Sequence, residues 1–298
     1  MGRLARLPGG GGRSLVPMTG RRLAAVRTTL LLTTLLLLTA CRPGVPAATV
    51  RPGATEVTSQ PDAQRWVPAP GVTWQWQLTV PVDPTVNATV YDIDGFLNGA
   101  DLVSDLHRRG RRVVCYVEVG SAEEFRPDYL DWPRELLGRP NGWPGERWLD
   151  IRDPARLRPV LAAQFDMCRA KGFDAIEPDL MDGYANDTGF PASAADQLRF
   201  NRFVARLAHD RGLSVALKND VEQAAELVGD FDFTVNEECA AFAECSRLTP
   251  FIRAGKAVLH AEYDLAPAEY CAESHRLRLS SLHKNRNLDA VATPCPAG

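Results

Sequence analysis

Histidine is scarce in this chain, with five in 298 residues. None stands in an HxH or HExxH spacing, so the commonest frames for a catalytic zinc are missing. No CxxC pair offers a structural zinc site. No GxSxG elbow is present, which argues against a serine esterase or peptidase. Residues 66–298 hold no internal repeat and no low-complexity tract. No apolar run reaches the about 18 residues of a membrane-spanning helix. Acid is absent from the first 40 positions, which carry Arg3, Arg6, Arg13, Arg21, Arg22 and Arg27. A basic excess is absent from the rest: residues 41–298 hold 28 of the 34 Lys+Arg and all 37 Asp+Glu, a net charge of −9. That balance suits nucleic acid poorly. Acidity is the ordinary route to solubility, and it also suits attraction of a cationic polymer.

Residues 28–40 (TTLLLTTLLLLTA) are apolar apart from threonine and about half the length of a membrane helix, so they read as a signal-peptide core. The run stops at Leu38-Thr39-Ala40-Cys41, which resembles the bacterial lipobox. That resemblance implies cleavage before Cys41 and acylation of its thiol, an anchor to the membrane. The Arg21-Arg22 pair alone does not specify twin-arginine export. Residues 41–65, rich in Pro, Ala, Thr and Gly, read as a disordered tether. Residues 66–298 suffice for one large domain.

Six further cysteines remain, an even number, which in an oxidising compartment indicates bridges. Cys239 and Cys245 enclose a short loop and are placed to pair, and Cys271 and Cys295 are placed to staple the C-terminal tail. Cys115 lies in an apolar run and Cys168 in a helical pattern, so both read as buried free thiols.

Eight segments read as buried strands: 74–80, 89–92, 112–118, 147–151, 173–177, 213–218, 231–236 and 257–262. Helical spacing is clearest at 156–170 and 195–210, each followed by a basic residue and glycine. The alternation implies parallel strands with crossover helices, hence a single-domain α/β fold of the (β/α)₈ TIM-barrel type, with a doubly wound open sheet as the competitor. Nearly every segment ends in polar residues: Asp92, Glu118, Asp150, Glu177 with Asp179 and Asp182, Lys218 with Asn219 and Asp220, Asn236 with Glu237, and Glu262. In a barrel these ends form one bowl, where the active site lies.

The segments Glu177-Pro-Asp-Leu-Met-Asp-Gly-Tyr184, Thr188-Gly-Phe190, Leu217-Lys-Asn-Asp220, Val235-Asn-Glu-Glu-Cys239 and Glu262-Tyr263 carry a resemblance to glycoside hydrolase family 114. Trp74-Gln-Trp-Gln-Leu78, Tyr91-Asp92, Cys115-Tyr116 and the 142–150 segment GWPGERWLD extend it upstream. Glu118 and Val119 depart from that pattern, standing where smaller residues are usual. The resemblance implies a cofactor-free barrel enzyme that cuts α-1,4-linked galactosamine polymers, with no metal. It places the catalytic pair on Asp179, as nucleophile, and Glu237, as acid/base. Chemistry supports two carboxyls, because a glycosidic bond needs a proton on its leaving oxygen and a negative charge beside the developing cation. Lys218, on the strand between them, is placed to keep one carboxylate ionised.

Asp92, Asp150, Glu177, Asp182, Asn219, Asp220 and Glu262 are candidates for holding sugar hydroxyls and ammonium groups, or one another. Trp143 and Tyr184, both in loops, are candidates for stacking on sugar rings. Two other classes stay open: a sugar-binding lipoprotein without catalysis, and a barrel hydrolase of a different polymer or ester.

Overall fold

The protein is described by a computed structural model over residues 65–296. The expected signal segment, Cys41 and the tether up to residue 64 lie outside those residues.

In chain order the strands are β1 (Trp74–Gln77), β2 (Val90–Asp94), β3 (Arg112–Glu118), β4 (Ser121–Glu123), β5 (Leu137–Pro140), β6 (Glu146–Leu149), β7 (Ala175–Asp179), β8 (Ser214–Lys218), β9 (Phe233–Glu237), β10 (Val258–Glu262), β11 (Ser280–Lys284) and β12 (Ala292–Pro294). The helices are α1 (Ala100–Arg108), α2 (Pro154–Lys171), α3 (Ala194–His209), α4 (Ala224–Leu227), α5 (Thr249–Arg253) and α6 (Pro267–Leu277). The large sheet runs β1-β2-β3-β7-β8-β9-β10-β11-β12. Its first eight members pair in parallel and β12 is antiparallel to β11. It curls into a nearly closed (β/α)₈ barrel. At the seam, Trp74 Nε1 donates to the Ser280 carbonyl at 2.9 Å and Leu78 N to the Leu288 carbonyl at 2.9 Å.

Seven of the expected strands belong to the barrel, and the eighth does not. Residues 147–151 overlap β6, the middle strand of a small antiparallel sheet, β4-β6-β5, inserted between β3 and α2. Gly142 and Gly145, at φ +105° and +81°, shape the hairpin joining β5 to β6. β3 pairs directly with β7, so no place is left for a strand between them. The missing barrel strand is β11, whose sequence SSLHK has Leu282 as its only aliphatic residue.

The helices stop as their sequences require. Gly172 caps α2 in the left-handed region at φ +90°. Ser193 and Asp196 form a capping box that opens α3, with Asp196 N donating to Ser193 Oγ at 3.2 Å and Ser193 N to Asp196 Oδ2 at 2.8 Å.

Alternation divides each barrel strand into two faces. Outward residues such as Ile93, Cys115, Val117, Ile176, Val215 and Leu217 join the helices in the main core. Inward residues Trp74, Trp76, Val90, Val114, Ala175, Ala216, Phe233, Val235, Leu259, Ala261 and Leu282 fill the barrel. Cys115 and Cys168 are not free thiols. They form a disulfide between the outer face of β3 and α2, with Cα atoms 6.1 Å apart. The expected bridges Cys239–Cys245 and Cys271–Cys295 are both present.

Candidate active site

The inward positions change character at the C-terminal ends of the strands. Above the apolar filling come Asp92 and Asp94 on β2, Tyr116 and Glu118 on β3, Glu177 and Asp179 on β7, Lys218 on β8 and Glu237 on β9. Register sets them side by side: Tyr116 lies opposite Glu177, and Glu118 opposite Asp179. Gly120 lets the ends of β3 and β7 meet, because a Cβ there would sit 1.9 Å from the Leu180 carbonyl oxygen.

Lys218 is the hub of this layer. Its side chain is 1% exposed, and its ammonium lies 2.9 Å from Glu177 Oε1, 3.0 Å from Asp179 Oδ1 and 3.4 Å from Glu237 Oε2. Three N–H donors thus meet three carboxylates, two on β7 and one on β9. Burial alone would lower the lysine, but the charges of Asp179, Glu177 and Glu237 raise it well above its ordinary value. The Trp76 ring backs the ammonium at 4.8 Å.

Asp179 is held as an anion. Burial pushes its carboxyl upward, but the Lys218 charge opposes this, helped by hydrogen bonds from Tyr116, Lys218 and the Leu180 N–H, and the outcome lies below the usual range. Tyr116 Oη donates to Asp179 Oδ2 at 2.7 Å and Leu180 N to Oδ1 at 2.8 Å. Glu237 accepts a short hydrogen bond from the Tyr263 hydroxyl, and Asn219 Nδ2 lies 3.4 Å from its Oε2. Their side chains remain 15% and 26% exposed, so a sugar can reach both. Each stands just before a non-glycine residue in the left-handed region: Leu180 follows Asp179 at φ +59° and Glu238 follows Glu237 at +60°. Asn219 follows Lys218 in the same way at +51°. Such conformations are costly and cluster at functional sites.

Glu177 and Asp92 lie beneath this open pair and are fully buried. Glu177 accepts from Trp76 Nε1 at 3.1 Å and from Lys218. Burial and the neighbouring Glu177 push Asp92 well above the carboxylate range. A second group flanks the pair. Asp220 is raised to about 8 by burial and by Asp182, which burial and Asp179 raise to about 6. Asp220 accepts from Asn201 Nδ2 at 2.8 Å, and the Tyr184 hydroxyl beside it opposes the upward shift.

Three expected site residues are placed elsewhere. Glu262 points to the outer face of β10 and is fully buried. Its Oε1 accepts from His260 Nε2 at 2.9 Å and from Ala240 N at 2.8 Å, so it braces the loop after Glu237. Asp150 is engaged by Arg152, whose Nε and Nη2 reach its two oxygens at 2.8 and 2.6 Å. Trp143 is 48% exposed in the turn between β5 and β6, on the inserted sheet. That sheet does approach the site, since Glu146 on β6 acts electrostatically on Glu118. Tyr116 was not expected at the site, and Tyr263 reads in the sequence as one of several aromatics suited either to stacking on a sugar or to the core; strand alternation points both inward, in step with Glu118 and Ala261.

Beside Tyr116 opens a cavity of about 440 Å³ that includes Asp94, Phe96, Glu123, Phe125 and Arg126 in its lining. Arg126 bonds Asp94 and Glu123, each at 2.7 Å, and burial raises Glu123 to about 7. Among the described residues one Cys/His grouping has metal-like spacing, Cys239, Cys245 and His260, but its two sulfurs are joined in a disulfide and supply no thiolate.

The chain matches glycoside-hydrolase family GH114 over residues 55–298. It belongs to that family. This GH114 chain is similar to Aspergillus fumigatus Ega3, solved in complex with galactosamine, at 36% identity and a TM-score of 0.73, covering 77% of this chain and 97% of that one. The glycoside hydrolase domain of PelA from Pseudomonas aeruginosa shares the fold at 15% identity and a TM-score of 0.57, covering 76% of this chain and 98% of that domain. An uncharacterized protein of Deinococcus radiodurans is 29% identical over 197 residues, 58% of this GH114 chain and 63% of the relative's own length. The protein is accordingly a glycoside hydrolase.

Proposed function

We propose that this hydrolase cuts α-1,4-linked galactosamine polymers internally, with retention of configuration, using Asp179 as nucleophile and Glu237 as acid/base. One observation carries the reading. A single ammonium nitrogen lies 3.0 Å from Asp179 Oδ1 and 3.4 Å from Glu237 Oε2. One nitrogen thus gathers an oxygen of each carboxyl, which favours the about 5–5.5 Å spacing of a retaining pair over the about 6.5–9.5 Å of an inverting one. In the first step Glu237 gives its proton to the glycosidic oxygen as Asp179 Oδ2 or Oδ1 bonds the anomeric carbon and the leaving chain departs. In the second, Glu237 takes a proton from water, the water oxygen bonds the anomeric carbon, and the bond to Asp179 breaks. Lys218 keeps Asp179 ionised for the first step. Asp182, Asp220 and Tyr184 flank the reacting sugar. The cavity beside Tyr116 is large enough for a further sugar ring. The similarity to a protein solved with galactosamine supports an amino sugar as substrate, and the acidity of residues 41–298 supports a cationic one. No cofactor and no nucleic-acid partner enter this reading.

The same proposal places the enzyme outside the cytoplasm, anchored through acylated Cys41, in keeping with three disulfides. Residues 66–298 would form the catalytic domain. Incubating the enzyme with the polymer and following products by mass spectrometry and anomeric proton NMR tests the chemistry: internal fragments with a first-formed α-anomer are expected. Asp179→Asn and Glu237→Gln should each remove most turnover without lowering thermal stability, and near-normal hydrolysis by either removes that residue from the mechanism. Cys41→Ser should free the protein from membranes, and unchanged fractionation rejects the anchor.

A further inference from the structure

The phenol of Tyr116 stands between two acids. Its oxygen is 2.7 Å from Asp179 Oδ2 and 2.9 Å from Glu118 Oε1. A phenol has one proton to donate, and an ionised carboxylate has none. Both contacts are hydrogen bonds only when one of the acids carries a proton. Asp179 is the poorer holder, because its Oδ1 faces the Lys218 ammonium at 3.0 Å and accepts the Leu180 N–H at 2.8 Å. Glu118 is buried, and the groups acting on it from the packed strands are themselves acids: Asp179 from β7, Glu146 from β6 and Glu123 from β4. Its Oε2 accepts from Ser121 Oγ at 2.9 Å, which leaves Oε1 to bear the proton. Burial first, then the charge of Asp179, push Glu118 well above the carboxylate range.

We infer that Glu118 is a neutral acid that donates to the Tyr116 oxygen, so that Tyr116 commits its own proton to Asp179. This inference rests on the proposed role of Asp179 as nucleophile. Glu118 is then a positioning residue acting through Tyr116. An ionised Glu118 would compete for the phenol proton and turn it away from Asp179 Oδ2. With Glu118 neutral, the O–H vector has one anionic target, and the Asp179 carboxylate is fixed from both oxygens before the sugar arrives.

The test compares Glu118→Gln, Glu118→Ala and Tyr116→Phe on galactosamine polymer. Glutamine puts an N–H where the acid proton stands, so Glu118→Gln is expected to keep kcat within about threefold of the parent, a neutral donor replacing a neutral donor. Glu118→Ala and Tyr116→Phe should lose about 10- to 100-fold in kcat with KM little changed, the size of one hydrogen bond to a charged group. Thermal melts establish that the variants are folded. Infrared spectra near neutral pH supply a readout that needs no turnover: the carbonyl band of a protonated carboxylic acid should be present in the parent and diminished in Glu118→Gln. A Glu118→Gln enzyme as impaired as Glu118→Ala, with that band undiminished, overturns the inference. Full activity in Asp179→Asn with a Glu118-dependent band would instead refute the role of Asp179 and uphold the proton on Glu118.

Discussion

Asn219 holds Glu237 at two points: its Oδ1 accepts the Glu237 backbone N–H at 2.9 Å, and its Nδ2 lies 3.4 Å from Glu237 Oε2. One side chain therefore sets both the backbone and the carboxylate of the proposed acid/base. Asn219→Ala should lower kcat about tenfold while KM and fold stay near those of the parent, the expected size of losing one positioning contact. Steady-state kinetics on soluble polymer fragments would separate the two parameters, and a rise in KM alone would make Asn219 a binding residue.

Lys218→Met should be costly in two ways. It strips the counter-ion from Glu177, Asp179 and Glu237, and breaking such a buried arrangement costs about 3–5 kcal/mol. It also removes the charge that opposes the burial of Asp179, so that carboxyl titrates higher. Because the nucleophile must be ionised, the acid limb of kcat/KM should move to higher pH. A pH profile with an unmoved acid limb would show that Lys218 does not control Asp179.

Asp220 gives the fold a pH dependence of opposite sense to that of a salt-bridged acid. Its carboxyl is raised from 3.8 to about 8 in the folded protein, through burial and then the charge of Asp182. Below 3.8 the group is protonated in both states and its stabilising contribution is complete. As pH rises the unfolded chain ionises first, so this contribution falls and is lost by about 8. Asp220→Asn should therefore gain stability relative to the parent, and gain more at the alkaline end of that window. Chemical denaturation across the range would reveal it, and an Asp220→Asn curve parallel to the parent's would count against a raised Asp220.

If the acidic bowl recruits ammonium groups, hydrolysis should slow with rising salt, since the Debye length shrinks from about 10 Å at 0.1 M to about 3 Å at 1 M. Full N-acetylation of the polymer should lower the rate as well. Rates indifferent to both would leave the net acidity as a matter of solubility.

The three bridges should contribute unequally to stability. Cys115–Cys168 spans 53 residues of sequence and Cys239–Cys245 only 6. By loop entropy the first is worth about 4 kcal/mol and the second about 2. Paired serine replacements compared by denaturant midpoint should follow that order, whereas kcat should suffer more from losing Cys239–Cys245, two residues beyond Glu237.

Much of this was legible from residue order, and the failures share a cause. Apolar runs such as 112–118 and 213–218 announced strands covered on both faces. The strand Ser280–Lys284 did not, because its inward side chains are Ser280, Leu282 and Lys284 and its apolar content is a single leucine. Residues 147–151 looked like a barrel strand because Trp148, Leu149 and Ile151 are buried, yet they are buried under a hairpin. Asp179, Lys218 and Glu237 were readable as polar ends of apolar strands. Glu262 ends β10 in the same way but lies on the opposite parity, so it turns outward while Tyr263 turns in. Counting alternation from the strand interior would have exchanged the two, and would also have found Tyr116. The Cys115–Cys168 bridge needed the three-dimensional meeting of a strand's outer face with a helix 53 residues on.

The seam of the barrel has its own consequence. Among the described residues no ladder joins β11 to β1, and the gap is spanned by the Trp74 indole and by residues 288 and 290. Around the ring, β7 and β8 are the fourth and fifth of the eight parallel strands counted from β1, diametrically opposite that gap. Asp179 is paired with Glu118 of β3 and Lys218 with Val235 of β9, far around the ring from the seam. Opening at the seam should therefore begin away from Asp179 and Lys218, and amide protons of β1 and β11 should exchange with solvent before those of β7 and β8.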